Sequence, residues 1–464
     1  MVVCDFASMT PFPEDGHLRT TLPTSLLVVM TTTLPGFADP IRFEAELAGH
    51  AILPAETSIP APADAPAALQ VSGKFAITEE PVRTDRTPTE GDALPLAGQP
   101  VQGFSGIRQI EPGRYYVLTD NGFGAAWNSP DAMLAFHVLR PDFETGEVLR
   151  ERTVFLRDPD AVVPFVLTME GSETRYLTGA DFDLEGFQVL GGKIFLGDEF
   201  GPYMLVADAA TGVVEGVHET VVGDLRVMSP DHYAIQVQSS PESSPPAFNL
   251  ARSRGYEGFA AAPDGSILYP LLEGPIWDPE AGAYESIDGQ TALRILEFDV
   301  ANRAWTGRSW FYLTEAPGHA IGDFNMIDAT RGLVIERDSG QGDAERACRS
   351  GETEDCFEQP ARFKRVYLID FAGVEPGRPV HKVGYVDLLD IQDPNRLARV
   401  GQRADGRFTF PFVTIENVDR VDEAHIIVAN DNNFPFSRGR TPERPDNNEF
   451  ILLEVADFLN ARAD

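Results

Sequence analysis

Residues 181–202 read DFDLEGFQVLGGKIFLGDEFGP. The runs PheGlnVal (187–189) and LysIlePheLeu (193–196) flank Gly191-Gly192. Gly-Gly between two β-prone runs reads as a tight hairpin. The chain leaves along one strand and returns along the next, so the start of the first and the end of the second share one end. Glu185 stands at that start, and Asp198 and Glu199 at that end. From Glu185 to Glu199 is 14 residues, room for two strands of about five or six residues and a turn. The carboxylates therefore gather at the open end of the hairpin.

The design recurs along the chain. Residues 104–124, FSGIRQIEPGRYYVLTDNGFG, open on Ser105 and close on Asp120. Residues 256–275, YEGFAAAPDGSILYPLLEGP, open on Glu257 and close on Glu273. Residues 321–340, IGDFNMIDATRGLVIERDSG, carry Asp323 and Glu336. Residues 412–435, FVTIENVDRVDEAHIIVANDNNFP, carry Glu416 and Asp431. A third β-like run follows each unit, such as MLVAD (204–208) or KRVYLID (364–370), and usually a fourth, such as HKVGYVDL (381–388). Repeated sets of four antiparallel strands predict an all-β protein, a β-propeller of five or six four-stranded blades. The repeats start roughly 70 to 90 residues apart, long for a blade, so the connections carry insertions. The run 41–53, IRFEAELAGHAIL, has no hairpin of its own and is expected to pair with the last sheet and close the ring.

Composition narrows the partners. There are 37 Lys and Arg against 72 Asp and Glu, a net charge of −35. Such a surface repels nucleic acid and anionic membranes, and no apolar run reaches the length of a membrane span. Residues 1–40 contain a modest apolar run followed by Gly36-Phe37-Ala38, small residues in a cleavage-like arrangement, although Asp5, Glu14 and Asp15 are foreign to a signal sequence. The division expected is a leader over 1–40 and one propeller domain over 41–464, in a periplasmic or secreted protein. Cys348 and Cys356, eight apart in a polar insertion, suit a small disulfide loop in an exported chain. Residues 54–68 and 239–246 read as loops.

The segments SGI…LTDNG, DLEGF…GDEFGP, RGYEGFAAAPDG…LLEGP, LVIERDSG and IENVD…NDNNFP, in this order over roughly residues 100–455, resemble the phytase-like family, described by an esterase-like activity of phytase. The resemblance implies a calcium-associated propeller that acts on phosphoesters.

The residues support a site of that kind by their own chemistry. A ring of blades brings Asp120, Glu185, Glu199, Glu257, Glu273, Glu336, Glu416 and Asp431 to one channel mouth. Crowded carboxylates need protons, arginines or a metal to coexist. An all-oxygen donor set suits Ca²⁺, whereas zinc or copper would ask for His or Cys. Asn121, Asn325, Asn417 and Asn432 add neutral oxygens nearby. Glu185, Glu257 and Arg254 are the candidate catalytic residues. Arg108, Arg254, Arg337 and His319 are the candidates for holding a small phosphoester, with Arg254 the best placed clamp. Strand alternation sets Arg337 opposite Glu336, so a salt bridge between blades is an alternative role for it. Gly103-Phe104-Ser105-Gly106 lacks the spacing of a serine nucleophile elbow. Two other functions stay open: a noncatalytic propeller stapled by calcium, and a lactonase-like propeller with one catalytic Ca²⁺. The sequence leaves the oligomeric state undetermined.

Overall fold

The computed structural model describes residues 39–76, 94–235, 248–352 and 354–463. The expected leader lies outside them up to residue 38, as does the 239–246 run. The 54–68 connection is mostly irregular, with a two-residue strand and the start of a short 3₁₀ turn.

The principal strands among these residues fall into five groups of four antiparallel strands, the first and last joined in one larger sheet by the parallel pair Glu147↔Ile52. Blade one holds β2 (Phe104–Glu111), β3 (Arg114–Thr119), β4 (Ala135–Asp142) and β5 (Glu147–Phe155). Blade two holds β6 (Leu184–Leu190), β7 (Lys193–Asp198), β8 (Tyr203–Asp208) and β9 (Val214–Glu219). Blade three holds β10 (Tyr256–Ala261), β11 (Ile267–Leu272), β12 (Gln290–Asp299) and β13 (Ala304–Leu313). Blade four holds β14 (Ala320–Met326), β15 (Arg331–Arg337), β16 (Lys364–Asp370) and β17 (His381–Asp387). Blade five holds β18 (Thr414–Arg420), β19 (His425–Asp431), β20 (Asn448–Glu454) and, from the other end of the chain, β1 (Glu46–Leu53).

The first strands of successive blades lie side by side, β2 to β6, β10, β14, β18 and back to β2. The protein is a β-propeller. Ring closure is by β1, antiparallel to β20 from Glu46↔Glu454 to Leu53↔Asn448, as the 41–53 run led one to expect. Its first residues do something else: Ile41–Phe43 form a short parallel edge strand on blade four.

Both faces of each sheet are apolar because each sheet is sandwiched between two others. Separate cores fill the gaps. Leu118, Phe136, Leu184 and Leu205 join blades one and two, and Phe195, Val206, Phe259 and Phe298 join two and three. Ile295, Phe324 and Tyr367 join three and four. Leu333, Val366, Ile415 and Ile451 join four and five, and Ile107, Val117, Ile427 and Phe450 close five onto one.

The long connections share one end. First strands start at the channel mouth, second and fourth strands end there, and so the links from second to third strand and from fourth to the next blade lie at that end. Their described parts include 120–134, 156–183, 220–235, 248–255, 338–352, 354–363 and 388–413, whereas the opposite end has short turns such as Gly191-Gly192 and Pro112-Gly113. The longest insertions inferred from the repeat length therefore build up the carboxylate end. Cys348 and Cys356 form a disulfide in one of them.

Candidate metal centre at the channel mouth

The opening residue of each blade sits in a β-bulge. Register shifts occur between Leu184 and Gly186, Tyr256 and Gly258, and Ile415 and Asn417. Glu185, Glu257 and Glu416 are the extra, unpaired residues. A bulge leaves its extra residue out of the ladder and re-aims its side chain, here into the channel.

The residue after each opening acid is a socket. A Cβ on Gly186 would lie 2.8 Å from Phe259 Cβ, and one on Gly258 would lie 2.6 Å from Phe324 Cβ. The Glu-Gly-Phe triplet is thus an acid, a socket and a plug for the preceding blade's socket. In blade five Asn417 replaces the glycine. It donates to Phe104 O and accepts from Gly106 N at 3.2 Å, tying blade five to blade one.

Six buried carboxylates form one cluster. Ligand oxygens of Asp183, Glu185 and Glu199 lie within 4.8 Å of one another, as do those of Glu185, Glu257 and Glu416, and of Glu199, Glu257 and Glu273. Burial first, and then the neighbouring carboxylates, push Glu185, Glu199 and Glu257 well above the usual carboxylate range. Burial and then Asp431 push Glu416 up to about 8, against the pull of Arg337. No hydrogen-bond donor among the described residues reaches Glu185 Oε2 or Glu257 Oε1, although these residues are only 8% and 3% exposed.

Two arginines enter the cluster. Arg337 Nη2 donates to Glu416 Oε1 at 3.0 Å and lies 3.7 Å from Glu257 Oε1 and 3.9 Å from Glu273 Oε1. Arg254 pairs with Glu273, with 46% of its side chain exposed. Ser105 Oγ donates to Glu416 Oε2 at 3.0 Å.

Asp183 is a site residue that the sequence reading passed over. It precedes the strand by one residue, and Glu199 N donates to its carbonyl at 2.8 Å across the hairpin mouth. Its place two residues before Glu185 in DFDLEGF was the available signal. Asp198, also conspicuous in the sequence, caps the hairpin instead, accepting from Asp183 N and Gly201 N.

Several expected positions are corrected. Blade four contributes no carboxylate to the cluster. Its bulge spans Ile321 to Phe324, so its opening position is Gly322 and Asp323 occupies the socket position. Asp323 Oδ2 accepts from Val418 N of blade five at 2.9 Å. Glu336 pairs with Ile321 inside the ladder and faces away from the channel. It accepts from Tyr312 Oη at 2.7 Å and Lys382 Nζ at 2.8 Å, and His319 Nδ1 lies 2.8 Å away. His319 thus belongs to this buried network between blades three and four. Arg337 holds the closing position that Asp120, Glu199, Glu273 and Asp431 hold elsewhere.

Arg108 lies further along the channel, bonded to Asp419 Oδ1 at 2.6 Å and Asn325 Oδ1 at 3.2 Å. Gln188 reaches the same Asn325 oxygen at 2.7 Å. These side chains cross-link the inner strands below the acids. Asp120 and Asp431 hold their own loops, accepting from Gly122 N and Asn433 N at 2.7 Å each, and stand beside the six-membered cluster. Burial, then the charges of Asp431 and Asp183, push Asp120 well up.

The donors are all oxygens, and none is His or Cys. Together with the two buried oxygens that no hydrogen-bond donor reaches, this set could hold a hard cation.

Fold and mouth together define a β-propeller with an acidic, cation-suited channel end. Residues 99–434 match the family Phytase-like, described as "Esterase-like activity of phytase", and the chain belongs to that family. No curated protein matches significantly. Among solved structures, the Dos1 propeller is 11% identical with a TM-score of 0.28, covering 76% of this chain and 68% of that one. A Kuenenia stuttgartiensis hydrazine synthase is 10% identical with a TM-score of 0.29, covering 74% and 80%. A luciferin-regenerating enzyme is 9% identical with a TM-score of 0.28, covering 78% and 94%. Likenesses of this strength say nothing about what the chain binds.

Proposed function

We propose that the protein is a calcium-dependent hydrolase of small phosphoesters, exported to the periplasm or beyond. The observation that carries the reading is the pair of buried carboxylate oxygens, Glu185 Oε2 and Glu257 Oε1, that no donor reaches inside a cluster of six acids. A buried carboxylate oxygen without a hydrogen-bond donor is costly, and a divalent cation held by Asp183, Glu185 and Glu199, within reach of Glu257, would relieve that cost. When bound, such an ion lowers the pKa of a coordinated water and polarises a phosphoryl oxygen. Arg254, anchored on Glu273 and half exposed, would steer and hold the anionic substrate at the mouth. The disulfide in the 338–363 insertion supports export. Family membership supports the esterase chemistry.

The test is elemental analysis of the purified protein, followed by assays on a phosphomonoester and a lactone with calcium controlled. We expect bound calcium, phosphomonoester hydrolysis, loss of it in Glu257→Gln, and a raised KM with retained calcium in Arg254→Ala. Equal rates in wild type and Glu257→Gln would refute a catalytic role for that residue. A second reading has its own support: the cluster draws acids from blades two, three and five, so a cation would bind three blades together as a staple. It is favoured if calcium raises the melting temperature while no ester is hydrolysed.

A further inference from the structure

Blade four is unlike the others at the mouth. Its opening position is Gly322, where a Cβ would lie 1.9 Å from the carbonyl oxygen of Ile415. No side chain fits there, so blade four can present no opening acid. Its closing position, acidic in the other blades, is Arg337. That side chain is 12% exposed and spans acids of two neighbouring blades, Glu257 and Glu273 on one side and Glu416 on the other.

We propose that Arg337 is a built-in cation of this site: its guanidinium holds one cation position of the cluster and confines exchangeable ions to the side bearing Asp183, Glu185 and Glu199. The proposal rests on the metal-binding reading above. Three features lead to it. Arg337 lies among acids that also belong to two of the three ligand triads, so an ion there would meet a fixed positive charge. Neither Arg337 nor Arg254 forms an ion pair with Glu185 or Glu199; their acidic partners are Glu257, Glu273 and Glu416. Glu185 Oε2, buried and reached by no donor, belongs to the triad with Asp183 and Glu199, none of which is ion-paired to Arg337. A guanidinium cannot be chelated away or exchanged, so part of the mouth keeps its charge balance whatever the calcium supply.

The experiment counts ions. Wild type, Arg337→Met and Arg337→Lys are stripped with chelator, titrated with CaCl₂ by calorimetry, and analysed for calcium after equilibrium dialysis. Arg337→Met should bind one more calcium per chain than wild type, because methionine fills a similar length without charge. Arg337→Lys should keep the wild-type number. Stripped Arg337→Met should melt lower than stripped wild type and gain more from calcium. If it folds only when calcium is present and then retains the extra ion, the proposal stands. Failure to fold even in calcium would overturn it, since an ion should replace the guanidinium. An unchanged ion count in a folded Arg337→Met would overturn it too, making Arg337 an ordinary bridge between blades. Calcium binding by wild type tests the metal reading separately: a wild type that binds none while Arg337→Met binds one would refute that reading and the confinement of ions, and would leave Arg337 as the occupant of the one cation position.

Discussion

At the scale of single residues, the site depends on glycines as much as on acids. Glu185, Glu257 and Glu416 point into the channel because a bulge removes each from the ladder, and in blades two and three the bulge is packed by a glycine socket against the next blade. Gly186→Ala would bring a Cβ to 2.8 Å from Phe259 Cβ and 3.0 Å from Glu257 O. Both are held by backbone and cannot rotate away. Overpacking of this kind costs about 1–3 kcal/mol, and it presses on the peptide that carries Glu257. We expect a lower urea midpoint at unchanged slope and weaker protection by calcium. Gly191, in the outer turn with φ of +56° and open space around it, is the control. Alanine there meets only left-handed strain, about 1–2 kcal/mol, and should leave calcium protection intact. If both variants lose calcium protection equally, the socket is not what positions the acid.

At the scale of elements, blade five joins the two ends of the chain, and a buried ion cluster lies at that joint. Glu449 on β20 is bonded by Arg440 Nη2 at 2.6 Å and lies 3.0 Å from His50 Nε2 on β1. Arg399 N donates to His50 Nδ1 at 3.0 Å. Burial alone would raise Glu449, yet Arg440 and His50 hold it at about 2. A depressed carboxylate stabilises the fold above its unfolded pKa, near 4.5, and that stability is lost as pH falls toward 2. Removing one partner of such a pair leaves an uncompensated buried charge, at about 3–5 kcal/mol. Arg440→Met should therefore lower the melting temperature strongly at pH 7 and much less at pH 3, where Glu449 can take up a proton. The same loss at both values would mean that packing of Arg440 on Phe408 and Phe412, and not its charge, holds the joint.

At the scale of the whole molecule, the acids of the mouth should make stability depend on pH and, on the proposed function, on calcium as well. The cluster acids are raised in the folded state, Glu416 to about 8, and Asp198 is raised to about 7, by burial first. A raised acid contributes stability that is full below its unfolded pKa and is lost as pH rises through the folded value. The calcium-free protein should therefore lose melting temperature between about pH 5 and pH 7. Above pH 7 Lys364, pushed down to about 7 by burial, works in the opposite sense. On the proposed function calcium would bind the ionised acids, so its stabilisation should grow over the same window; at 100 times Kd a native-state ligand contributes about 2.7 kcal/mol. Differential scanning calorimetry across pH with chelator or calcium measures this. A calcium-free melting temperature that is flat or rising from pH 5 to pH 7 would show that these acids are not under the strain described.

Much of this was legible in the sequence. Hairpins with acids at their open ends, the third and fourth strands, the closing run at 46–53 and the family motifs are local signals: turn residues, alternation and spacing act over a few residues and survive translation into structure. They placed Glu185, Glu199, Glu257, Glu273 and Glu416 in one cluster. Blade four escaped such reading. Asp323 and Glu336 look like its acids because a bulge shifts strand parity by one residue, and where the bulge falls depends on the blade beside it. Here the carbonyl of Ile415 leaves room only for Gly322, which moves Asp323 into the socket and turns Arg337 inward in place of Glu336. Arg108 likewise follows an opening residue closely in sequence yet faces Asp419 deeper in the channel, because three residues of strand carry it past the mouth. The sequence by itself determined which end of each hairpin is acidic; only packing between blades decided which side chains of that end meet.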